Sequence, residues 1–464
     1  MDNFVKTFLA ISGIIGTIVA TILLVQIDIS DKTPPKIKFA NSGEIYAHSK
    51  EPFVVNFSDE SGLEKIVVEL RNEGQGGVKI FEENFKKEPP KEFSVSLKLP
   101  PSTQKGVVTA YATDASGGLL KGNSASLSKK ILADTTPPQI SLIAKSFVAR
   151  NGGAVMVSFA VKDEHFASVH LVDNQGRIYH PKKFVAQEVY AAFVGVWDED
   201  FALSIVAKDE AGNVAEKSVE FNKKEAKFST TSMYLSDAFI NSLVKQILTA
   251  QGVQSRGEAE DFTYLNNILR KQNDAKFLAA NAKNNSVEVG EFDLESFLPL
   301  RFNAKTSNFA AVTNYYYKGK KLGDSTRLGI DLKAASGSVV RASNKGVVAF
   351  AGDNGIYGQS VVVNHGFGIS SVYSHLSKIN VVEGQEVKED EVIGVIGRSG
   401  FVTSTRLQFA VIANGVFVQP EDFMNPVWVE ENVKNIVAAT KSFALRQNLQ
   451  PLNVLKNEEN KGNL

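Results

Sequence analysis

Residues 322–420 contain short runs of Val and Ile separated by glycines, and this pattern constrains the fold more than any other in the chain. Runs such as Val347–Phe350, Ser360–Val363 and Val392–Ile396 have the length and β-branched composition of strands. Glycine supplies the permissive backbone that tight turns need, so frequent glycines between such runs indicate successive hairpins. The stretch predicts a small, strongly coiled antiparallel β domain, which we place at residues 296–430.

Four motifs follow one another in this domain: Thr-Arg-Leu-Gly-Ile-Asp-Leu at 326–332, Asn-His-Gly-Phe-Gly at 364–368, Tyr-Ser-His-Leu-Ser at 373–377 and Thr-Arg-Leu-Gln-Phe at 405–409. In this order they resemble the lysostaphin-like, or LytM-type, zinc endopeptidases, which cut peptide cross-links in bacterial cell walls. The resemblance implies that the domain has the fold of that family. Together with the helical segment before it, the domain is most similar to the envelope cell-shape LytM proteins of curved and helical bacteria.

The resemblance also implies a zinc site, at which this sequence departs from the family. Active members read His-x-x-x-Asp, Tyr-x-His-Leu and His-x-His at the first, third and fourth motifs, and zinc is held by the first His, the Asp and the last His. The matching ligand positions are Arg327, Asp331 and Gln408, and the catalytic histidines are matched by Arg406 and His375. Arginine stays protonated and has no lone pair to donate, and a glutamine amide is a poor zinc ligand. We therefore expect a vestigial groove with no catalytic residue, no bound metal and no cofactor.

Asp331 needs a new counter-charge if zinc is lost, because a half-buried carboxylate is costly to leave unpaired. We expect Arg327 or Arg406 to take that place, in the bidentate geometry that suits a guanidinium and a carboxylate. His365 lies at a His-Gly turn that is not a ligand in active members, so we do not count it as a rescuing ligand.

A repeat precedes this domain. Asp31-Lys-Thr-Pro-Pro recurs as Asp134-Thr-Thr-Pro-Pro, at a spacing close to the size of an immunoglobulin-like sandwich. Alternating runs such as Ile66–Leu70 and Val155–Ala160 indicate half-buried strands. The sequence therefore predicts two Ig-like β-sandwiches, at residues 31–133 and 134–225. We read the histidines of the second module as surface or core residues: His165, His170 and His180.

Residues 226–295 change to a helical period. Ser236 is a candidate N-cap for a first helix, and a second helical run reaches Leu269 and has a polar end at Arg270–Asn273. With the loop from Gly252 to Gly257 between them, the two runs predict a helical hairpin. The resemblance implies that this hairpin leans on the β domain or on its groove. For residues 431–464 we predict a C-terminal helix and a polar tail.

Residues 8–25 form an uncharged run of eighteen residues, which as a helix is about 27 Å long, close to the hydrocarbon thickness of a bilayer. No small-x-small cleavage site follows it, so we predict an uncleaved transmembrane anchor within residues 1–30, rather than a signal peptide. The charges on the two sides do not decide the orientation, whereas the wall-enzyme resemblance favours export. We therefore expect a single-pass protein of the inner membrane with its domains in the periplasm.

Charge and cysteine content exclude some functions. Lys and Arg number 51, as do Asp and Glu, so the formal net charge is zero and gives no reason to expect a nucleic-acid partner. No cysteine is present, which rules out disulfides and thiolate metal sites. The modules predicted above together give a fold class that is multidomain and mostly β.

The sequence and the resemblance together favour a non-catalytic, membrane-anchored envelope protein. It would bind and stabilise or regulate a peptidoglycan hydrolase or a related LytM protein, and so influence cell shape or division. Two alternatives stay open. One is a peptidoglycan-binding module whose arginines hold the carboxylate of a peptide stem, and the other is an active endopeptidase with a remodelled site.

Overall fold

The computed structural model of the 464-residue chain is mostly β, with 45% of residues in strands and 18% in helices. It describes residues 12, 15, 17, 18, 33–40, 43–47, 49, 51–116, 122–283 and 292–452. The chain divides into two compact units, each described below by itself. The first comprises Met1–Pro138, Glu164–Ala167 and Lys208–Val214, and the second comprises Gln139–Asp163, Ser168–Ala207 and Ala215–Leu464.

The predicted membrane anchor at residues 8–25 lies outside the described residues, apart from the four isolated helical positions 12, 15, 17 and 18. Among the residues that are described, no helix has both the length and the apolar character needed to cross a bilayer.

The first β module has two sheets that share one core. Its strands are β1 (Lys36–Phe39), β2 (Ile45–Tyr46), β3 (Phe53–Ser58), β4 (Leu63–Asn72), β5 (Val78–Asn84), β6 (Glu92–Leu97), β7 (Gly106–Asp114) and β8 (Ser124–Leu132). The sheet orders are β1-β3-β6 and β2-β8-β7-β4-β5. Val55 and Phe57 of β3 join Ile66 and Val68 of β4 in the core. β4 alternates buried and partly exposed residues, so the half-buried strand predicted at Ile66–Leu70 is confirmed. That the module is Ig-like stays a prediction.

The second β module contains strands β9–β18: β9 (Gln139–Lys145), β10 (Val148–Arg150), β11 (Ala154–Lys162), β12 (Phe166–Asp173), β13 (Ile178–Tyr179), β14 (Lys182–Phe184), β15 (Ala186–Gly195), β16 (Leu203–Asp209), β17 (Val214–Val219) and β18 (Asn222–Lys224). They form the sheets β14-β15-β11-β9 and β13-β12-β16-β17, and a two-stranded parallel ribbon, β10-β18.

The half-buried strand predicted at Val155–Ala160 is wrong. β11 is buried on both faces from Ala154 to Val161. One face carries Ala154 and Met156, which join the core shared with the C-terminal β domain. A strand covered on both sides has no polar face, so an alternating pattern is not required of it.

The predicted helical hairpin is present. Helix α1 (residues 237–250) and helix α2 (residues 258–283) each contain a five-residue π-helical segment, at Ile240–Val244 and Leu265–Leu269. Ser236 caps α1, since its Oγ accepts a hydrogen bond from the Phe239 N–H at 3.2 Å. The polar end predicted at Arg270–Asn273 is wrong, because α2 continues to Lys283. Asn273 and Phe277 are buried there, and this burial stabilises about three further turns after Asn273.

The C-terminal β domain contains strands β19–β31: β19 (Thr230–Leu235), β20 (Ala304–Ser307), β21 (Val312–Tyr317), β22 (Lys320–Thr326), β23 (Ile330–Lys333), β24 (Val339–Arg341), β25 (Gly346–Asp353), β26 (Gln359–Gly366), β27 (Ile369–Ile379), β28 (Glu386–Val387), β29 (Val392–Ile396), β30 (Leu407–Ala413) and β31 (Val416–Val418). A 3-10 helix lies at Gly355–Tyr357. Helices α3 (Pro420–Met424) and α4 (residues 426–446) follow the last strand.

The main sheet of this domain has ten strands. Its central order is β20-β23-β30-β27-β26-β25-β28, while β24, β29 and β31 pair beside it. The strand pairs described in this sheet are antiparallel, so the predicted antiparallel domain is confirmed. A second sheet has the order β19-β21-β22. In it β19 runs parallel to β21, and β21 runs antiparallel to β22.

One hydrophobic core joins the second β module, the hairpin and the C-terminal domain. Phe193 of β15 contacts the rings of Phe292 and Phe423, at centroid distances of 6.0 and 6.3 Å. Trp197 donates its indole N–H to the Phe417 carbonyl at 2.7 Å. The proposed boundaries at residues 225 and 295 therefore divide segments that are packed together, and they stay predictions.

Candidate functional site

Asp331 lies at the centre of the four motifs. It is the second residue of β23 and is paired with Ser307 on one side and Gln408 on the other. Its backbone N–H donates to Ser307 Oγ at 3.0 Å. Strands pair with both edges of β23 at this point, and the residue is only 1% exposed.

Two arginines neutralise this buried carboxylate. Arg327 precedes β23 and its Nη1 donates to Asp331 Oδ2 at 2.7 Å. Arg406 precedes β30 and its Nη1 donates to the same oxygen at 3.0 Å. The expectation of an arginine counter-charge is confirmed, with both candidates in place rather than one.

The expected bidentate geometry is wrong. Both guanidinium groups approach Asp331 Oδ2, while Oδ1 is buried and has no hydrogen-bond partner in the described part of the chain. Arg406 directs its Nη2 to Ser404 Oγ at 2.7 Å instead of to the second carboxylate oxygen. The carboxylate is therefore held from one side only.

His375 is fixed in a strained conformation on β27. Its φ is 66°, in the left-handed region that a residue with a side chain rarely adopts. Nδ1 lies 2.9 Å from the Ser399 carbonyl, which can only accept, so Nδ1 carries the proton and Nε2 is the free acceptor. Burial lowers the pKa of His375 to about 4, so the ring is neutral at pH 7.

Four of the five predicted groove residues line one cleft of about 250 Å³: Arg327, His375, Arg406 and Gln408. Asp331 lies behind this wall, joined to it through the two arginines. The structure therefore brings together all five residues that the sequence singled out. We call this space the motif cleft.

The helical hairpin forms one side of the motif cleft. Phe239 and Leu243 of α1 and Arg270 of α2 line it. The Phe239 ring meets the Phe401 ring edge-on, at a centroid distance of 5.6 Å. The expectation from the resemblance that the hairpin leans on the groove is confirmed for these residues.

Asn273 attaches α2 to the loop beside the cleft. Its Oδ1 accepts from the Ile356 N–H and its carbonyl accepts from Asn354 Nδ2, both at 2.9 Å. The neighbouring Asp274 accepts from the Tyr357 hydroxyl at 2.5 Å. Sequence reasoning missed these residues, because a polar residue within a helix gives no sign of which loop it will meet.

His365 is not among the residues that line the motif cleft. Its Nδ1 is 2.8 Å from the Lys345 carbonyl and its Nε2 is 2.7 Å from Ser371 Oγ. Burial lowers the pKa of His365 to about 4. Both ring nitrogens are used within the core, so this histidine is a structural residue.

The residues at the family's zinc positions do not fit a catalytic zinc ion. Such an ion needs about three lone-pair donors and an open position. Arg327 offers only N–H donors, and together with Arg406 it points them at the carboxylate oxygen that a cation would bind. Gln408 supplies an amide in place of an imidazole, which leaves Asp331 as the one strong ligand of the set.

Comparison with known proteins identifies the family to which part of this domain is similar. Residues 325–420 match the family described as Peptidase family M23. The DD-carboxypeptidase/endopeptidase Mpg of Neisseria meningitidis is 35% identical over 157 residues, which are 33% of this chain and 33% of that protein. Stage II sporulation protein Q of Bacillus subtilis is 35% identical over 101 residues, which are 21% of this chain and 36% of that protein.

Among solved structures, the catalytic domain of lysostaphin from Staphylococcus simulans is 26% identical, with a TM-score of 0.23. The match covers 26% of this chain and 92% of that domain. The chain thus spans about a third of the length of the two curated relatives. The matched family region contains all four motifs and the five residues of the site, and residues 325–420 of this chain are therefore a domain of peptidase family M23.

Proposed function

We propose that this chain is a non-catalytic M23 protein of the bacterial cell envelope, which binds and stabilises or regulates a peptidoglycan hydrolase. In this proposal residues 8–25 anchor it in the inner membrane as a single span, and the β modules and the M23 domain lie in the periplasm. The regulated enzyme is a peptidoglycan hydrolase or a related LytM protein, and its activity affects cell shape or division.

The observation that carries the proposal is the pairing of Asp331 with Arg327 and Arg406, at 2.7 and 3.0 Å. Metal-dependent peptide hydrolysis needs a cation to polarise the carbonyl and to activate water. Here two permanent cations already neutralise the carboxylate and occupy its Oδ2. His375 remains as a neutral base, but the zinc positions around it supply no comparable ligand set.

The small volume of the motif cleft, and the aromatic contact at one end of it, further support the non-catalytic assignment. At about 250 Å³ it is below the roughly 300–1,000 Å³ typical of small-molecule sites. Phe239 and Phe401 close one end with an aromatic contact.

The names of the relatives are compatible with a role other than peptidase activity. One relative is named as a carboxypeptidase and endopeptidase, and another is named for a stage of sporulation. Since the M23 domain occurs in both, the domain alone does not decide function. The proposal therefore rests on the residues of the site and not on the names of the relatives.

A peptidoglycan-binding module is the second candidate, with the carboxylate of a peptide stem held by the arginines. It is less favoured, because Arg327 and Arg406 already share one carboxylate oxygen. Sedimentation of the protein with purified wall sacculi distinguishes a peptidoglycan-binding module from a regulator of a hydrolase. Strong co-sedimentation that is lost in an Arg327→Leu/Arg406→Leu variant would favour the binding module. An active endopeptidase with a remodelled site is the third candidate.

Metal analysis tests the loss of the zinc site. The full chain, purified without chelator, should contain far less than one zinc per chain. The triple variant Arg327→His/Arg406→His/Gln408→His should gain about one, because residues 331 and 408 are already register partners. One tightly bound zinc per wild-type chain would overturn the non-catalytic assignment.

The regulatory role needs its own experiment. We expect a wall hydrolase to co-purify with the full chain from native membranes. When the two purified proteins are combined, the rate or lifetime of that hydrolase on sacculi should change at least several-fold. An Asp198→Asn variant, whose substitution lies far from the M23 motifs in sequence, is the control and should act on the hydrolase as the wild-type chain does. A hydrolase that responds equally to an unrelated protein would contradict the proposal.

A further inference from the structure

Strand β19 has one side of its backbone without a partner strand. It is an outer strand of the sheet β19-β21-β22 and pairs with β21 alone among the described strands. The Val312 N–H donates to the Ser229 carbonyl at 2.8 Å, so Ser229 directs its backbone towards β21. Because backbone groups alternate in direction along a strand, the N–H and C=O groups of Thr230, Ser232 and Tyr234 point away from β21.

This outer edge is open to solvent in the described part of the chain. Thr230, Ser232 and Tyr234 are exposed, the last of them to 77%. No described residue forms a hydrogen bond with their outward backbone groups. A row of unpaired N–H and C=O groups is a template on which one more strand can pair.

The edge also lacks the features by which sheet edges avoid pairing. The sequence of β19 is Thr-Thr-Ser-Met-Tyr-Leu, which has β-branched and aromatic residues but no charge and no proline. The other outer strand of this sheet, β22, carries Lys320, Lys321 and Asp324, and its pairing with β21 is irregular at Tyr315/Tyr316. Charges and bulges of this kind hinder the addition of a strand. One edge of the sheet is therefore protected, and the other is suited to association.

The side chains of β19 are complementary to a second β19 that runs antiparallel to it. In a self-pair centred on Ser232, Thr230 of each copy lies opposite Tyr234 of the other, and aromatic–β-branched pairs stabilise a sheet. Tyr234 already stacks on Tyr316 of the neighbouring strand, at a centroid distance of 5.4 Å. No like charges oppose each other within the pair, because β19 has no charged residue.

The charges that flank the strand favour the same direction. Lys227 and Asp237 lie on either side of Ser232 at equal distances in the sequence, and both are exposed. An antiparallel self-pair brings the Lys227 end of one copy to the Asp237 end of the other, whereas a parallel pair brings like charges together. Asp237 is 3.3 Å from Lys318, but its side chain is 58% exposed and has room for a second cation.

From these features we infer that β19 pairs with β19 of a second copy of this chain, antiparallel and about a two-fold axis at Ser232. Opposed residues of an antiparallel pair point to the same face. Met233, which lines the motif cleft, therefore lies beside Thr231 of the second copy. The two motif clefts then open on the same face of one continuous sheet. This homodimer goes beyond the proposed function and does not depend on it.

Cysteine cross-linking of the full chain tests the register. The chain has no cysteine of its own, so a single one can be introduced. Ser232→Cys should give a disulfide-linked dimer under mild oxidation, because hydrogen-bonded antiparallel partners have Cα atoms about 5.5 Å apart, within the reach of a disulfide. Thr230→Cys is the matched control on the same face of the strand. Its counterpart in the second copy is about 14 Å further along the strand, so it should not cross-link. Absent cross-linking at residue 232, or equal cross-linking at residue 230, would overturn the inference.

Sedimentation equilibrium of the full chain in detergent measures association without a covalent link. The wild-type chain should form a dimer. Ser232→Lys and Ser232→Glu should each weaken it by about ten-fold or more, because identical charges then face each other across the axis. An equal mixture of the two variants should recover the dimer, and Ser242→Lys on the exposed side of α1 should behave as the wild type does. A monomeric wild-type chain contradicts the inference. So does a dimer that neither charge variant weakens, which is the result expected if residues 8–25 alone hold two chains together.

Discussion

At the scale of single residues, Asp331 is the position on which the site depends. Its carboxylate is 2% exposed, and two N–H donors converge on one of its oxygens, while none of the described residues donates to the other. A buried charge without a counter-charge is destabilising. The two arginines therefore act as structural counter-ions for the buried Asp331 carboxylate.

Asp331→Ala should destabilise the second unit although it removes no catalytic group. Removing one member of a fully buried pair costs roughly 3–5 kcal/mol. We expect a smaller loss here, because the Arg327 and Arg406 side chains remain 30% and 25% exposed. The triple variant Asp331→Ala/Arg327→Leu/Arg406→Leu should recover part of the loss, since the stranded charges leave together. Chemical denaturation of the full chain gives both values.

Arg301→Leu is a suitable control for this series, because Arg301 forms an ion pair with Asp390 in which both side chains are about half exposed. Exposed pairs contribute only about 0–1 kcal/mol. Unchanged stability of Asp331→Ala, accompanied by loss of a wall-cleaving activity, would show that Asp331 is catalytic.

At the scale of secondary-structure elements, the helical hairpin forms one wall of the motif cleft. Both of its helices contain π-helical segments, which change the direction of side chains along a helix. Phe239 and Leu243 line the cleft, while Ile240 and Val244 lie in the core. The attachment through Asn273 holds α2 against the loop at residues 354–357.

Asn273→Ala should loosen this attachment. It leaves the buried Ile356 N–H without its acceptor, and an unsatisfied buried group costs about 1–3 kcal/mol. We expect faster hydrogen exchange at residues 354–357 and in α2, with little change in β26 and β27. Lys271→Ala, on the exposed side of the same helix, is the control and should leave exchange unchanged. Uniform exchange changes across the whole unit would argue against a local attachment.

At the scale of the whole molecule, the second β module and the M23 domain share one core. β11 is buried on both faces, and Phe193 packs against residues that belong to the C-terminal domain. Such a module is more than a spacer, because part of its sheet covers the M23 domain. We therefore expect residues 139–452 to unfold together, apart from the short segments that belong to the first unit.

Phe193→Ala should test this cooperativity. Phe193 is fully buried, and replacing a buried Phe by Ala costs roughly 3–5 kcal/mol. The loss should appear equally in strands β11 and β27 when opening is followed by hydrogen exchange on the full chain. Phe147→Ala is the matched control, since Phe147 lies in the same module but is 72% exposed. Opening confined to the second module would show that the two parts fold independently.

The sequence by itself determined the class of the domains and the membership of the site. Glycine spacing and β-branched runs are local signals, so the antiparallel sheet of residues 296–430 could be predicted from them. The five groove residues could be named because the four motifs resemble those of the LytM-type endopeptidases, and the structure pairs two of these residues, Asp331 and Gln408, in register. Ser236 was recognisable as a cap because capping depends only on neighbours in the chain.

Only the tertiary structure decided how these parts contact one another. Both arginines contact Oδ2 of Asp331, and no described residue donates to Oδ1. This arrangement depends on where the segments before β23 and β30 place the two arginines. The extension of α2 beyond Arg270 depends on Asn273 finding a loop 81 residues away. The burial of both faces of β11 depends on a domain that follows it in the chain. Each of these is a long-range contact, and local sequence pattern does not record which distant surface will cover a given face.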